Sequence, residues 1–200
     1  RRVLFRSMPL YRIEQEFKRN GINVKRQVMA NWTILTSERY LSLLYDRLHE
    51  KLLESDVCQA DETTVEVSKD GRSAGAKSYM WVYRTGKMHT SAPIILYNYQ
   101  KTRNASHPEK FLKKFKGVLV SDGYQAYHSM DKNSPDITVA GCWSHSRRRF
   151  SNLVKSLGKE KSKGTLAQDA LKQISAIYKI ESQFSELEPE ERLKQRQLIL

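Results

Sequence analysis

Between Val57 and Trp143 the hydrophobic pattern changes period in a fixed order, and that order leaves few folds open. VCQADETTVEV alternates and is rich in β-formers. YMWVYRT and APIILYNYQ follow as two further strands, joined by the turn-rich KDGRSAGAKS (Asp70, Gly71, Gly75) and by Gly86-Lys87. Three strands with such short links predict an antiparallel meander. HPEKFLKKFKG then reads as a helix, with Pro108 near its start and Gly117 at its end. The apolar strand Val118-Leu119-Val120 comes next, then GYQAYHSM as a short helix and ITVAGCW as a fifth strand.

The flanks are helical. Leu10, Ile13, Phe17 and, past Gly21, Ile22 predict an amphipathic helix closing in a glycine turn. Val24, Val28, Trp32 and Leu35 predict a second helix, with Lys25, Arg26, Gln27 and Asn31 on its remaining surface. Such a pair resembles a helix-turn-helix whose second helix enters a major groove, but any helical hairpin looks like this and ordinary helix packing is the leading reading. Residues 36–55 continue as a helix with Leu41, Leu44, Tyr45, Leu48, Leu52 and Leu53 on one side. After the fifth strand come WSHSRRRFSNLVKSL, the basic linker GKEKSKG, TLAQDALKQISAIYKIESQF, and SELEPEERLKQRQLIL with Ser185 or Glu186 as its cap. Residues 1–7, RRVLFRS, read as a non-native leader, with Met8 as a candidate start. The expected regions are 8–56 (helical), 57–142 (the β-β-β-α-β-α-β core) and 143–200 (a helical insertion cut short at Leu200). Trp81 and Trp143 read as core residues.

Charge narrows the partner. Lys and Arg number 35 against 22 Asp and Glu, a net +13 with a pI near 9.7. Neutralising phosphates releases condensed counterions, so an excess of this size favours a nucleic acid. No apolar run approaches the ~20 residues of a membrane helix. Two cysteines, Cys58 and Cys142, are too few for a disulfide framework and point to a reducing cytoplasm.

Two acids interrupt this pattern. Asp61 breaks an otherwise regular first strand, and Asp122 ends the fourth, in GVLVSDGYQAYH. Taken singly, Asp61 reads as a solvent-facing strand residue and Asp122 as half of an Asp-Gly turn. The strand order gives them a joint reading. A three-stranded meander followed by α-β-α-β is the order of the ribonuclease-H-like fold, in which the fourth strand lies beside the first. Two carboxylates ~4 Å apart repel by about 4 kcal/mol at an effective dielectric of 20, so a proton or a cation must sit between them. All-oxygen ligands suit Mg²⁺ or Mn²⁺, and with a basic surface the matching chemistry is two-metal phosphoryl transfer. On this reading Asp122 stands where metal reaches it and Gly123 lets the chain turn away. Cys142 and His145 form a C-x-x-H pair, for which Cys58, His107 and His128 offer no convincing further zinc ligands. Arg147, Arg148 and Arg149 cannot share one helix face, so one or two of them are candidates for phosphate.

PLYRIEQEF, ADETTVEV, KSYMWVYRTG, HPEKFLKKFKGVLVSDGYQAY and GCWSHSRRRF resemble, in that order, the core of the insertion-sequence-66 family of bacterial DDE transposases. The resemblance runs from Pro9 to the C-terminus. It implies a ribonuclease-H-like fold, cleavage of transposon ends and joining of the freed 3′-hydroxyl to target DNA with Mg²⁺. A homo-oligomer on DNA, accessory proteins and a cytoplasmic, DNA-associated location go with it. Asp61 and Asp122 match the first two acids of the family's triad. The third, a glutamate in an Asn- and Arg-rich segment, has no counterpart here. Glu181, Glu186, Glu188, Glu190 and Glu191 read as surface or capping charges, so the expectation is a fragment without its last acid, inactive alone.

Overall fold

The computed structural model describes residues 9–67, 71–73, 75–86 and 92–199. The expected leader, Met8 and the turn residues Asp70 and Lys87 lie outside the described residues. Leu10–Arg19 forms α1. It ends where Gly21, at φ 76°, lets the Ile22 amide reach back to Phe17 O (2.8 Å) and the Gly21 amide to Lys18 O (3.2 Å). The second helix, α2 (Arg26–Thr36), packs on α1 and buries Met29. A π-helical turn, Ser37–Leu41, joins it to α3 (Ser42–Leu53), which buries Leu52.

The strands are β1 (Val57–Glu66), β2 (Lys77–Thr85) and β3 (Ile95–Gln100), an antiparallel meander as the alternation predicts. After α4 (Ser106–Phe111) comes β4 (Gly117–Ser121), then α5 (Gln125–Asn133) and β5 (Ile137–Gly141). The five strands form one mixed sheet in the order β3-β2-β1-β4-β5. Three helices follow: α6 (Trp143–Lys161), α7 (Leu166–Gln183) and α8 (Pro189–Ile199). No helix among the described residues is long and apolar enough to cross a membrane.

Two compact units divide the chain, one comprising Arg1–Leu119 with Ser134–Thr138, the other Val120–Asn133 with Val139–Leu200. In the first unit, register sorts the meander into two faces. Cys58, Ala60 and Glu62 oppose Thr85, Tyr83 and Trp81, and Tyr83 opposes Leu96. The apolar members of this face, Cys58, Ala60, Trp81, Tyr83 and Leu96, are buried, as are Leu52, Phe111, Leu112 and Phe115. Tyr83 stacks on Phe111 (centroids 3.8 Å apart, 8° between planes), and His49 Nε2 lies 2.8 Å from Phe111 O. Each large side chain removed from water in this layer contributes about 1.5–3 kcal/mol. In the second unit α6 packs with α7, whose N-terminus is capped by Thr165 accepting from the Gln168 amide. Arg192 of α8 donates to the carbonyls of Phe184 (2.9 Å), Ser185 (2.9 Å) and Leu187 (3.2 Å), and Arg196 binds Glu181 through two bonds of 2.6 and 2.7 Å. Glu186, Glu188, Glu190 and Glu191 are exposed, as their sequence setting suggests.

Several local expectations are corrected. Leu41 and Leu44 are exposed although the stripe through Leu52 predicts otherwise; Leu41 lies inside the π turn, whose extra residue breaks the helical period, while Leu44 is exposed within the same regular helix that buries Leu52. Val28, Trp32 and Leu35 are likewise exposed and Met29 takes their place. Trp143 is exposed while Trp81 is fully buried. The basic linker is helical as far as Lys161, interrupted at Gly158 (φ 77°, ψ 166°). Pro189 itself begins α8, leaving Ser185 and Glu186 outside it.

Gly117 carries the largest correction. It opens β4 and does not close α4, which stops six residues earlier at Phe111. Its φ is +139°, and a Cβ there would stand 2.3 Å from Asp56 O. That carbonyl accepts the Val118 amide at 2.9 Å, so the start of β4 lies directly against the residue before β1.

Candidate active site

Asp61 is the fifth residue of β1, half-buried and opposite Val82. Its Oδ1 accepts the Glu62 amide at 2.9 Å. Because successive strand residues point to opposite faces, Glu62 is sent to the buried layer beside Trp81. Its side chain is only 3% exposed, and its Oε1 receives both Nε (2.7 Å) and Nη2 of Arg103. Neither Glu62 nor Arg103 stands out by sequence reasoning. The available signal was the Asp-Glu pair itself, since adjacent acids in a half-buried strand oblige one of them to find a cation indoors.

In the second unit, Ser121 ends β4 in a buried position and Asp122 follows, half-buried. Asp122 Oδ1 accepts the Tyr124 amide at 2.9 Å, an Asx turn that bends the chain without left-handed backbone. Gly123 is therefore not what makes the turn, since its φ lies outside the left-handed region and a Cβ there would meet only Arg149 Nη2 at 3.7 Å. The Cys142 amide donates to Ser121 O (2.7 Å), and Cys142 is the N-cap residue of α6. One turn on, the His145 amide donates to Cys142 O at 3.1 Å. Thus Asp122, Cys142 and Arg149 gather at the carboxyl end of β4. Arg147 and Arg148 are exposed and point elsewhere, being 200° and 100° from Arg149 at about 100° per helical residue.

The remaining candidates lie on other elements. Lys25 is the N-cap residue of α2, and Arg26 and Gln27 open its first turn, all exposed. The Arg26 guanidinium rests over the Tyr11 ring at 5.9 Å, and its amide donates to Glu14 Oε1 at 3.2 Å. No group of three or more His, Cys, Asp or Glu capable of holding a metal occurs among the described residues. Cys58 is buried, which pushes its thiol up to about 12, far from the thiolate that zinc requires. His107 bonds Thr102 Oγ1 (2.8 Å), and His128 is exposed on α5.

Residues 5–199 match the family model described as the transposase IS66 family. Uncharacterized protein y4qI of Sinorhizobium fredii (strain NBRC 101917 / NGR234) is 34% identical over 155 residues, 73% of this chain and 29% of that protein. Uncharacterized protein y4jD of the same strain is 29% identical over 199 residues, 96% of this chain and 38% of the relative. The chain thus spans about a third of the length of the curated relatives it matches. With nearly every residue inside the match, the chain belongs to the IS66 family of transposases.

Proposed function

We propose that this chain carries part of a divalent-metal centre that cuts and joins DNA, on a ribonuclease-H-like sheet, with Asp61 and Asp122 as ligands. The observation that carries the reading is the strand order: β1 and β4 are neighbours in the sheet, Asp61 stands within β1, and Asp122 follows β4 directly. The donor chemistry fits a hard cation. Both groups are half-buried carboxylates with one oxygen engaged by a backbone amide, and oxygen-only sites prefer Mg²⁺ or Mn²⁺. Bound ions would supply Lewis-acid stabilisation of charge on the phosphoryl oxygens.

The chain's own residues do the rest of the work. The Glu62–Arg103 pair anchors the strand around Asp61, and the Asx turn fixes the rotamer of Asp122. Arg149, beside Gly123, offers a planar fork to a phosphate oxygen. The net charge of +13 draws the duplex in. The partners on this reading are transposon ends, target DNA and further copies of the protein, with accessory proteins as candidates, in a cytoplasmic, DNA-associated setting. Glu181 is engaged by Arg196 and supplies no third acid.

The test uses full-length protein and a labelled transposon-end duplex. Asp61→Ala and Asp122→Asn should each abolish Mg²⁺-dependent cleavage and strand joining while salt-sensitive DNA binding persists. Normal cleavage by either variant would refute the assignment. A second reading, DNA binding without catalysis, draws on the exposed Lys25, Arg26 and Gln27 at the start of α2. It requires that Lys25→Ala and Arg26→Ala remove binding and that no cleaved product forms under any metal. A hydrolytic nuclease would instead give cut ends that are never joined.

A further inference from the structure

The sheet face that bears Asp61 is built as an aromatic surface. Asp61 opposes Val82, and Val82 opposes Tyr97, so Tyr97 stands on the same face two strands away. At 4.7–4.9 Å between strands that separation is about 10 Å. Tyr99, two residues along β3, shares the face at the level of Thr63, through Met80. Tyr97 is 62% exposed and Tyr99 38%. Among the described residues the Tyr97 side chain makes no hydrogen bond or ring contact, whereas Tyr99 is held by its hydroxyl against Ser78 Oγ at 2.9 Å.

Cations frame the two rings. Beyond Tyr99, the Arg72 guanidinium bonds Ser78 Oγ and the carbonyls of Lys77 and Lys101. Beyond Tyr97, the exposed Arg84 lies on the same face, opposite Ile95 and Gln59. Arg84 makes no ion pair among the described residues. Two residues of strand advance about 6.8 Å, twice the ~3.4 Å rise between stacked bases, so one planar base fits between the two side chains. An edge strand of exposed tyrosines bracketed by arginines suits single-stranded DNA, whose bases stack on aromatic rings while phosphates meet the cations.

We propose that Tyr97 and Tyr99 bind an unpaired base of a single DNA strand, within about three nucleotides of a phosphate at Asp61. This rests on the reading of Asp61 as part of a DNA-processing centre. It adds to that reading how the strand beside the reacting phosphate is gripped, through exposed bases.

The test is fluorescence anisotropy of the whole chain with a labelled 12-mer of oligodeoxythymidylate, its abasic analogue, and a duplex of the same length. Tyr97→Leu keeps an apolar strand residue without a π-face, and Tyr97→Phe keeps the face. Stacking is expected to make Tyr97→Leu bind the single strand about five- to a hundredfold more weakly, with duplex affinity unchanged. Tyr97→Phe should bind like the parent, and the abasic strand should bind parent and Tyr97→Leu alike. Unchanged single-strand affinity in Tyr97→Leu overturns the proposal, as does an equal loss on single strand and duplex. Metal-dependent cleavage is scored separately, so cleavage lost in Asp61→Ala alongside unaltered binding by Tyr97→Leu rejects the platform and spares the metal centre. Base-dependent binding by this chain, with no metal-dependent cleavage by the full-length protein, does the reverse.

Discussion

Replacing Gly117 by alanine should damage the protein far more than the same change at Gly123, six residues on in the turn that follows β4. At Gly117 the added methyl meets Asp56 O at 2.3 Å and its carbonyl carbon at 3.0 Å, backbone atoms that cannot rotate away. Moving apart would break the hydrogen bond that the Val118 amide donates to Asp56 O, a loss of about 1 kcal/mol. Holding alanine at a φ of +139° adds about 1–3 kcal/mol of strain. The combined cost of about 2–4 kcal/mol is a large share of a folding margin of about 5–15 kcal/mol. At Gly123 the methyl meets only Arg149 Nη2, at 3.7 Å, and a cost below about 0.5 kcal/mol is expected. Urea denaturation followed by circular dichroism measures both, with the thermal midpoint of Gly117→Ala falling by about 5–15 °C. If Gly117→Ala unfolds within 0.5 kcal/mol of the parent (roughly the scatter of surface substitutions), or if Gly123→Ala matches it, the close approach at the start of β4 is refuted.

Three further outcomes follow from particular contacts. Tyr83 Oη is buried without a hydrogen-bond partner among the described residues, and burial raises its pKa; Tyr83→Phe should stabilise by about 1 kcal/mol in the same titration, and destabilisation would reveal a bonded hydroxyl. Glu62→Gln should cost about 1–2 kcal/mol by weakening the two bonds from Arg103, and parent-like stability would show the pair contributes nothing. Hydrogen bonding from Arg196 holds the Glu181 carboxyl below its ordinary 4.5, so the pair's contribution is present above that pH and lost as pH falls through the lowered value; Glu181→Gln should therefore melt earlier than the parent near neutrality and converge with it in acid.

The sequence carried the element order and the meander because both depend on local periodicity. Alternation in VCQADETTVEV marked the first strand, and the structure forms β1 there, with Cys58 and Ala60 opposite Thr85 and Tyr83 on its buried face. Features that depend on a partner distant in sequence were not legible in this way. Nothing local marks Arg103 as the counterion of Glu62, 41 positions earlier. Gly117 looked like a helix terminator because glycine serves there so often, whereas its role comes from the Asp56 carbonyl pressing on it from β1's approach. The π turn at Ser37–Leu41 was invisible to any fixed helical period, and it takes Leu41 off the stripe that runs through Leu52. At Asp122 the acid was legible, but the side chain that shapes the turn is the aspartate's own.

The neighbouring acids of β1 also guard against mispairing. A slip of one residue against β2 would swing Asp61 toward Trp81 and Tyr83 and push Glu62 out to water. Aspartate is a methylene shorter than glutamate and would reach Arg103 poorly, leaving a charge stranded in the packed layer. An incorrectly zipped strand would thus be discarded on energetic grounds before the rest of the sheet closes around it.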